Sequence, residues 1–237
     1  MGKKICVIPA RLESSRFPNK ILTEINGKNM FVAVYDIAIR SGLFDKVYVA
    51  THNEEVIKIC EELNIDSIVT NSNHVCGSSR VFEAARQINE EWDIVVNLQA
   101  DQPFLPVAYL ESVLRGIKTN PISTIGYLDS DNKNPNTVKI ILDKENSGIY
   151  FSRYPIPFSV NNENIERYCH LGLYAYKREF VESYAGNFQS ALAVNESLEQ
   201  LDFIYHGYKI DVELVSNPIP EVNVPEDIQE AKRLGLL

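Results

Sequence analysis

The chain has 237 residues, of which 45% are hydrophobic, 23% charged and 10% aromatic, fractions that fit folded globular proteins and exclude disordered and fibrous classes. The length suits one large domain, or one domain with a small lobe, and is ample for a packed core. With 23 Lys and Arg against 32 Asp and Glu the net charge is −9, which argues against nucleic-acid or anionic-membrane partners, since these need a basic footprint.

Through the first half, short apolar runs alternate with amphipathic stretches. Residues 4–8 read as a buried strand, and 30–40 as a helix with Phe31, Val34, Tyr35 and Ala38 on one side. Strands follow at 46–50, 67–70 and 94–98, with helices at 54–63, 79–88 and 107–117. Buried β-branched runs separated by helices predict βαβ units. Beyond residue 120 the texture changes: 123–127, 137–142, 149–152 and 168–176 read as strands with few helices between them. Helical patterning returns at 178–184 and 198–205, and a strand at 209–215. Pro225 followed by Glu226 and Asp227 opens a last helix, because proline suits its first position and acids its positive end. The expected fold class is α/β: a mostly parallel open sheet flanked by helices, one domain over 1–237, with residues 121–177 as an antiparallel lobe. No internal repeat, low-complexity tract or linker interrupts it.

Cysteines at 6, 60, 76 and 169 lack metal or redox-motif spacing and read as the reduced thiols of a cytoplasmic protein. No apolar run is long enough to span a membrane, and the run before Arg11 is too short for a signal-peptide core.

Charge is unevenly placed. Residues 1–28 hold Lys3, Lys4, Arg11, Arg16, Lys20 and Lys28 against Glu13 and Glu24, a local +4. Three of these six cations fall in the loop after the first strand, Pro9-Ala10-Arg11-Leu12-Glu13-Ser14-Ser15-Arg16-Phe17-Pro18-Asn19-Lys20. Open parallel sheets bind ligands beyond the carboxyl ends of their strands. Two guanidiniums and an ammonium there can clamp a polyphosphate, with serine hydroxyls and loop amides as neutral donors. The loop is neither a P-loop nor a dinucleotide fingerprint, so kinases and dehydrogenases lose ground. On composition alone a merely solvated loop stands beside the phosphate reading.

Further segments join this loop in a pattern. Val95-Val96-Asn97-Leu98-Gln99-Ala100-Asp101-Gln102-Pro103 is followed by Asn134-Pro135-Asn136-Thr137-Val138-Lys139 and by Tyr150-Phe151-Ser152-Arg153-Tyr154-Pro155-Ile156-Pro157. His170-Leu171-Gly172-Leu173-Tyr174-Ala175-Tyr176 and Ser197-Leu198-Glu199-Gln200-Leu201 complete it. In content and order the chain resembles the 3-deoxy-manno-octulosonate cytidylyltransferases (CMP-Kdo synthetases). The resemblance implies transfer of CMP from CTP to the anomeric hydroxyl of a 3-deoxy-2-ulosonic acid, with release of pyrophosphate, for lipopolysaccharide or capsule assembly in the cytoplasm. It implies Arg11, Arg16, Lys20 and Asp101 as the catalytic set, and Pro9, Ala10, Arg11, Ser14, Lys20 and Gln99 as nucleotide-binding. It also implies Mg²⁺ on Asp101, CTP and a small sugar acid as partners, and a homodimer. For the sugar acid it points to Arg80, Arg153, His170, Tyr174, Glu199 and Gln200. A planar guanidinium is the natural reader of a carboxylate. Plainer roles stand beside these: a turn-capping Asp101, a salt-bridged Arg80, a core His170, and a Glu199 that is ordinary first-turn acid, since Ser197 and Gln200 have capping-box spacing.

Departures from the family pattern cluster at its carboxylates. Asn223 stands where the pattern has an Asp expected to be a second metal ligand, Ser79 replaces an Asp beside Arg80, His52-Asn53 replaces Asp-Asp, and Gln102 replaces a Glu. An amide oxygen can still coordinate Mg²⁺ but lacks the charge that a hard cation favours. The expected metal residues are therefore Asp101 and Asn223, with weakened binding. The same changes fit a related acceptor, such as an 8-amino acid or a phosphonate. A non-catalytic nucleotide binder is the remaining alternative.

Overall fold

The computed structural model describes residues 2–13, 17–129, 133–160, 166–218 and 221–237. It divides into two compact units, residues 1–107 with 219–237, and residues 108–218.

The first unit is built on β1 (Lys4–Pro9), whose Ile5, Cys6, Val7 and Ile8 are almost wholly buried. A single turn of 3-10 helix (Lys20–Leu22) and a short hairpin, β2 (Glu24–Ile25) and β3 (Lys28–Asn29), lead into α1 (Met30–Ser41). The hairpin turns on Asn26-Gly27, both with positive φ, the pair that a two-residue turn of this hand favours. The series β4 (Lys46–Thr51), α2 (Glu54–Glu62), β5 (Ser67–Val69), α3 (Gly77–Gln87) and β6 (Ile94–Leu98) follows. β1 pairs in parallel with β4 on one side and β6 on the other, and β4 pairs in parallel with β5. The chain thus moves outward from β1 through β4 and β5, then crosses back to place β6 beside β1. Parallel strands buried on both faces read as continuous β-branched runs, which is why these elements fall where the sequence puts them. The closing helix, α8 (Pro225–Arg233), begins on proline, as expected, and Asp227 accepts the backbone N–H groups of Asn223 (2.6 Å) and Val224 (2.9 Å).

The second unit carries α4 (Val107–Gly116), β7 (Ile122–Leu128), β8 (Lys139–Leu142), β9 (Gly148–Ser152) and β10 (Tyr168–Lys177). Then come α5 (Arg178–Ser183), α6 (Ala191–Glu196), α7 (Gln200–Tyr205) and β11 (Ile210–Val215). β7 is parallel to β11 and antiparallel to β10, and β8 is antiparallel to both β10 and β9. The antiparallel texture expected of 121–177 is present, inside a unit that reaches from 108 to 218. Its core is aromatic: Tyr176 and Phe203 have ring centroids 5.9 Å apart, and Phe180 and Phe203 5.4 Å. Buried Asp202 ties that core to the loop before α6, accepting from the Tyr184 hydroxyl, Phe188 N–H (2.9 Å) and Ser190 N–H (2.8 Å). Lys139, fully buried, gives its ammonium to the carbonyls of Asn134 (2.6 Å), Thr137 (2.6 Å) and Arg153 (2.9 Å).

One local expectation fails. Ser197 adopts a left-handed conformation (φ 52°) and ends α6, while Glu199 caps α7 without a side-chain hydrogen bond. The capping box read from Ser197 and Gln200 does not form, because the short α6 uses Ser197 as its stop.

Candidate active site

Chain direction reverses about β1, so the loops leaving β1 and β6 diverge and leave a crevice at their carboxyl ends. A cleft of about 270 Å³ lies there, lined by Arg11, Lys20, Arg80, Gln99, Asp101 and Asn223 among others. All belong to the first unit.

The β1 loop is pinned at its root. Ala10 N–H donates to the Ala50 carbonyl (2.9 Å), and Leu12 N–H to Asn53 Oδ1 (3.1 Å). Glu13 holds His52 Nε2 at 3.0 Å and Asn53 Nδ2 at 3.2 Å. The side chains at 52 and 53 therefore brace the loop, and exposed Arg11 projects from the braced segment into the cleft. Ser14 and Arg16 lie outside the described residues.

At the end of β6, buried Asn97 donates to Ser78 Oγ (3.1 Å) and accepts from Gln99 Nε2 (2.8 Å). A β-carbon on Gly77 would sit 2.8 Å from that Gln99 nitrogen, so the first turn of α3 approaches Gln99 only because residue 77 is glycine. Asp101 Oδ2 receives the Lys20 ammonium at 2.7 Å, with the two side chains 26% and 13% exposed. Its carbonyl receives Val222 N–H (3.1 Å), fastening the segment that carries Asn223. Beside it Glu221 accepts from Gln102 Nε2 at 3.1 Å and Asn223 Nδ2 at 3.4 Å. Burial, and then the charge of Asp101, push the Glu221 carboxyl above the usual range, against the opposing pull of those amides and Lys20.

Arg80, only 2% exposed, donates to Thr70 Oγ1 (2.5 Å) and the Asn71 carbonyl (3.1 Å), both neutral. Burial, and after it the charge of Arg11, lower its pKa, with Glu13 and Glu83 opposing. An anion in the cleft relieves that repulsion between guanidiniums. Ser79 meets His74 Nδ1 at 3.0 Å, and His74 Nε2 meets Glu83.

The other residues implied for the sugar acid lie in the second unit. Here β10 carries two extra residues, Gly172 and Leu173, against β7. In a regular strand, residues four apart are separated by roughly 13 Å, yet the rings of His170 and Tyr174 lie 5.3 Å apart, so the irregularity draws them together. Thr124 sits against the irregularity, its hydroxyl 2.8 Å from the Leu173 carbonyl and 2.9 Å from His170 Nε2. With the hydroxyl proton on that carbonyl, Nε2 carries the imidazole proton and Nδ1 is the acceptor. Burial pushes the His170 pKa down to about 3, so the ring is neutral in ordinary buffers. Tyr174 donates to Gln200 Oε1 (3.1 Å), and the buried Gln200 Nε2 has no hydrogen-bond partner among the described residues. Glu199 is half-buried beside it. Arg153 turns three donors onto the carbonyls of Glu196 (2.8 Å), Pro135 (3.2 Å) and Ser197 (3.3 Å). Two guanidinium N–H groups remain for a ligand, from the five that arginine has.

Glu221, Thr124 and His74 escaped the sequence reading. A signal existed for Glu221: it stands two places before Asn223 with apolar Val222 between, and alternate side chains of an extended segment share a face.

The family model for cytidylyltransferases matches residues 5–210. A 3-deoxy-manno-octulosonate cytidylyltransferase from Francisella philomiragia subsp. philomiragia is 35% identical over 242 aligned positions, covering 96% of each chain. An 8-amino-3,8-dideoxy-manno-octulosonate cytidylyltransferase from Shewanella piezotolerans is 38% identical over 232 positions, covering 94% of each. Among solved structures, a CMP:2-keto-3-deoxy-manno-octonic acid synthetase complexed with CTP matches with a TM-score of 0.91 and 32% identity, over 99% of this chain and 98% of that one.

Proposed function

This chain belongs to the cytidylyltransferase family, and from that premise we propose that it transfers CMP from CTP to the anomeric hydroxyl of a 3-deoxy-2-ulosonic acid. The hydroxyl oxygen bonds to the α-phosphorus as the bridge to the β-phosphate breaks, and pyrophosphate leaves. Such chemistry is mostly positioning and charge stabilisation.

One observation carries the reading: Arg11, Lys20 and Arg80 converge on a single cleft that also holds Gln99 and Asp101. Arg11 and Lys20 bind the triphosphate and take up charge on the departing pyrophosphate, with Arg16 assigned the same task by resemblance. Lys20 rests on Asp101 when no nucleotide is bound, and phosphate oxygens are its alternative partners. Gln99, steadied by Asn97, seats the nucleotide. In the second unit His170 Nδ1 accepts from a sugar hydroxyl, Gln200 Nε2 donates, and Arg153 and Tyr174 complete the polar set.

The cleft's donor set fits Mg²⁺. Asp101 and the Asn223 amide are hard oxygen donors, and Asp101 already pairs with one cationic group, the Lys20 ammonium. Among the described residues no group of three or more His, Cys, Asp or Glu side chains is placed to hold a metal unaided. That suits an ion that takes one or two protein oxygens and the rest from substrate phosphates. When bound, it would neutralise phosphate charge.

The acceptor is a Kdo-type acid. The 8-amino acid is the second reading, favoured by the Shewanella relative. The product serves lipopolysaccharide or capsule assembly, and the reaction belongs in the cytoplasm, where CTP is made. No helix among the described residues is long and apolar enough to cross a membrane. The working form is a homodimer: Tyr154, Phe158 and Val160, near one another in sequence, are 75%, 84% and 83% exposed, apolar side chains that a partner can cover. Light scattering checks this, with a monomeric mass overturning it. The test of the activity is pyrophosphate release from CTP with each acid in turn. CTP binding without turnover on any acid would leave a binder in place of an enzyme.

A further inference from the structure

Glu221 belongs to none of the segments that carry the family pattern, yet it joins two positions at which this chain departs from that pattern. Each of its carboxylate oxygens holds a primary amide: Gln102 Nε2 lies 3.1 Å from Oε1, and Asn223 Nδ2 3.4 Å from Oε2. Gln102 and Asn223 are the amides that stand where the pattern has Glu and Asp. Between Glu221 and Asn223, fully buried Val222 is fastened to the Asp101 carbonyl, which holds Asn223 beside Asp101 in the cleft lining, with Glu221 and Gln102 behind them.

We propose that Glu221 is a positioning residue for the divalent-cation site, fixing from behind the ligands the orientation of the amides at 102 and 223. An amide presents donors at one end and an acceptor at the other. With its nitrogen end gripped by Glu221, Asn223 turns its Oδ1 away from that carboxylate and towards the cleft. A carboxylate bonded to a ligand in this way also raises the ligand's donor strength, and losing such a partner typically costs 10–100-fold in metal affinity. The inference rests on reading Asp101 and Asn223 as the cation ligands.

The test is a titration of the full chain with Mn²⁺ in saturating CTP and no acceptor acid, followed by electron paramagnetic resonance. Wild-type protein takes up one ion per nucleotide site. Glu221→Gln weakens that uptake about tenfold while CTP affinity without metal is unchanged, and Glu221→Gln with Asn223→Asp recovers it. Uptake by Glu221→Gln within twofold of wild type overturns the proposal, as does a loss that Asn223→Asp fails to recover, since a purely structural role gives no such rescue. If Glu221→Gln does not fold, Glu221→Asp decides: a carboxylate one methylene too short to hold the Asn223 amide weakens uptake several-fold, and retained affinity overturns the proposal. Failure of the wild-type protein to bind Mn²⁺ with CTP would instead remove the cation site itself.

Discussion

The first unit's cleft and the second unit's polar cluster solve the problem of holding charge in opposite ways. In the cleft, Arg11 is exposed and Lys20 is paired with a partly exposed Asp101. The pair faces the cleft, so phosphate oxygens can take the place of Asp101 on the Lys20 ammonium. In the second unit, Lys139 and Asp202 are wholly buried and spend their charges on main-chain groups. Arg11 and Lys20 line an open cleft where a ligand can reach them, whereas Lys139 and Asp202 hold loops from within the core. Substitution of Lys20 in the cleft is therefore expected to cost activity, and substitution of Lys139 or Asp202 stability.

The largest expected effect tests the first half of that contrast. Lys20→Met lowers the rate of pyrophosphate release by about 10²–10³-fold, the usual loss for one preorganised donor, while the thermal midpoint moves little. A variant that unfolds instead would show that the Lys20–Asp101 pair is structural. Lys139→Met probes the other half: three carbonyls lose their donor, and denaturant titration should show a loss of about 3 kcal/mol with activity at low temperature largely kept.

His170 gives a subtler reading. Its pKa is about 3 in the fold and near 6.5 when unfolded, so the unfolded chain binds a proton that the folded chain refuses. Its contribution to stability is full above about pH 6.5 and is lost progressively as pH falls towards 3. Between pH 6.5 and 5, before most carboxylates titrate, His170→Gln should flatten the fall of the thermal midpoint. An unchanged slope would mean that the ring is solvated. The smallest effect is expected from Asn223→Asp, which lowers the magnesium concentration for half-maximal rate by a few-fold, and an unchanged or higher value removes Asn223 from the cation site.

Much of this was legible in the chain. Residues 5–8 and 94–98 announce buried parallel strands because β-branched runs have few other homes, and the loops after them carry the cations and Asp101. The β2–β3 hairpin escaped notice although Asn26-Gly27 is a strong turn signal, since two-residue strands have no periodicity to read. Helix α6 is too short for a pattern, and missing it produced the false capping box at Ser197. Glu221 was hidden for a different reason: its importance lies in contact with Gln102, 119 positions away, and no local spacing encodes that.

The two additional residues in β10 have a consequence for how this strand can change. Because Gly172 and Leu173 enter as an even number, inward and outward positions keep the same parity on both sides of them. A single-residue deletion there would exchange the faces of Tyr168, Cys169 and His170 at once, placing a thiol that is now buried on the opposite side of the sheet. A loss of both residues would instead keep those faces, straighten the ladder and part His170 from Tyr174.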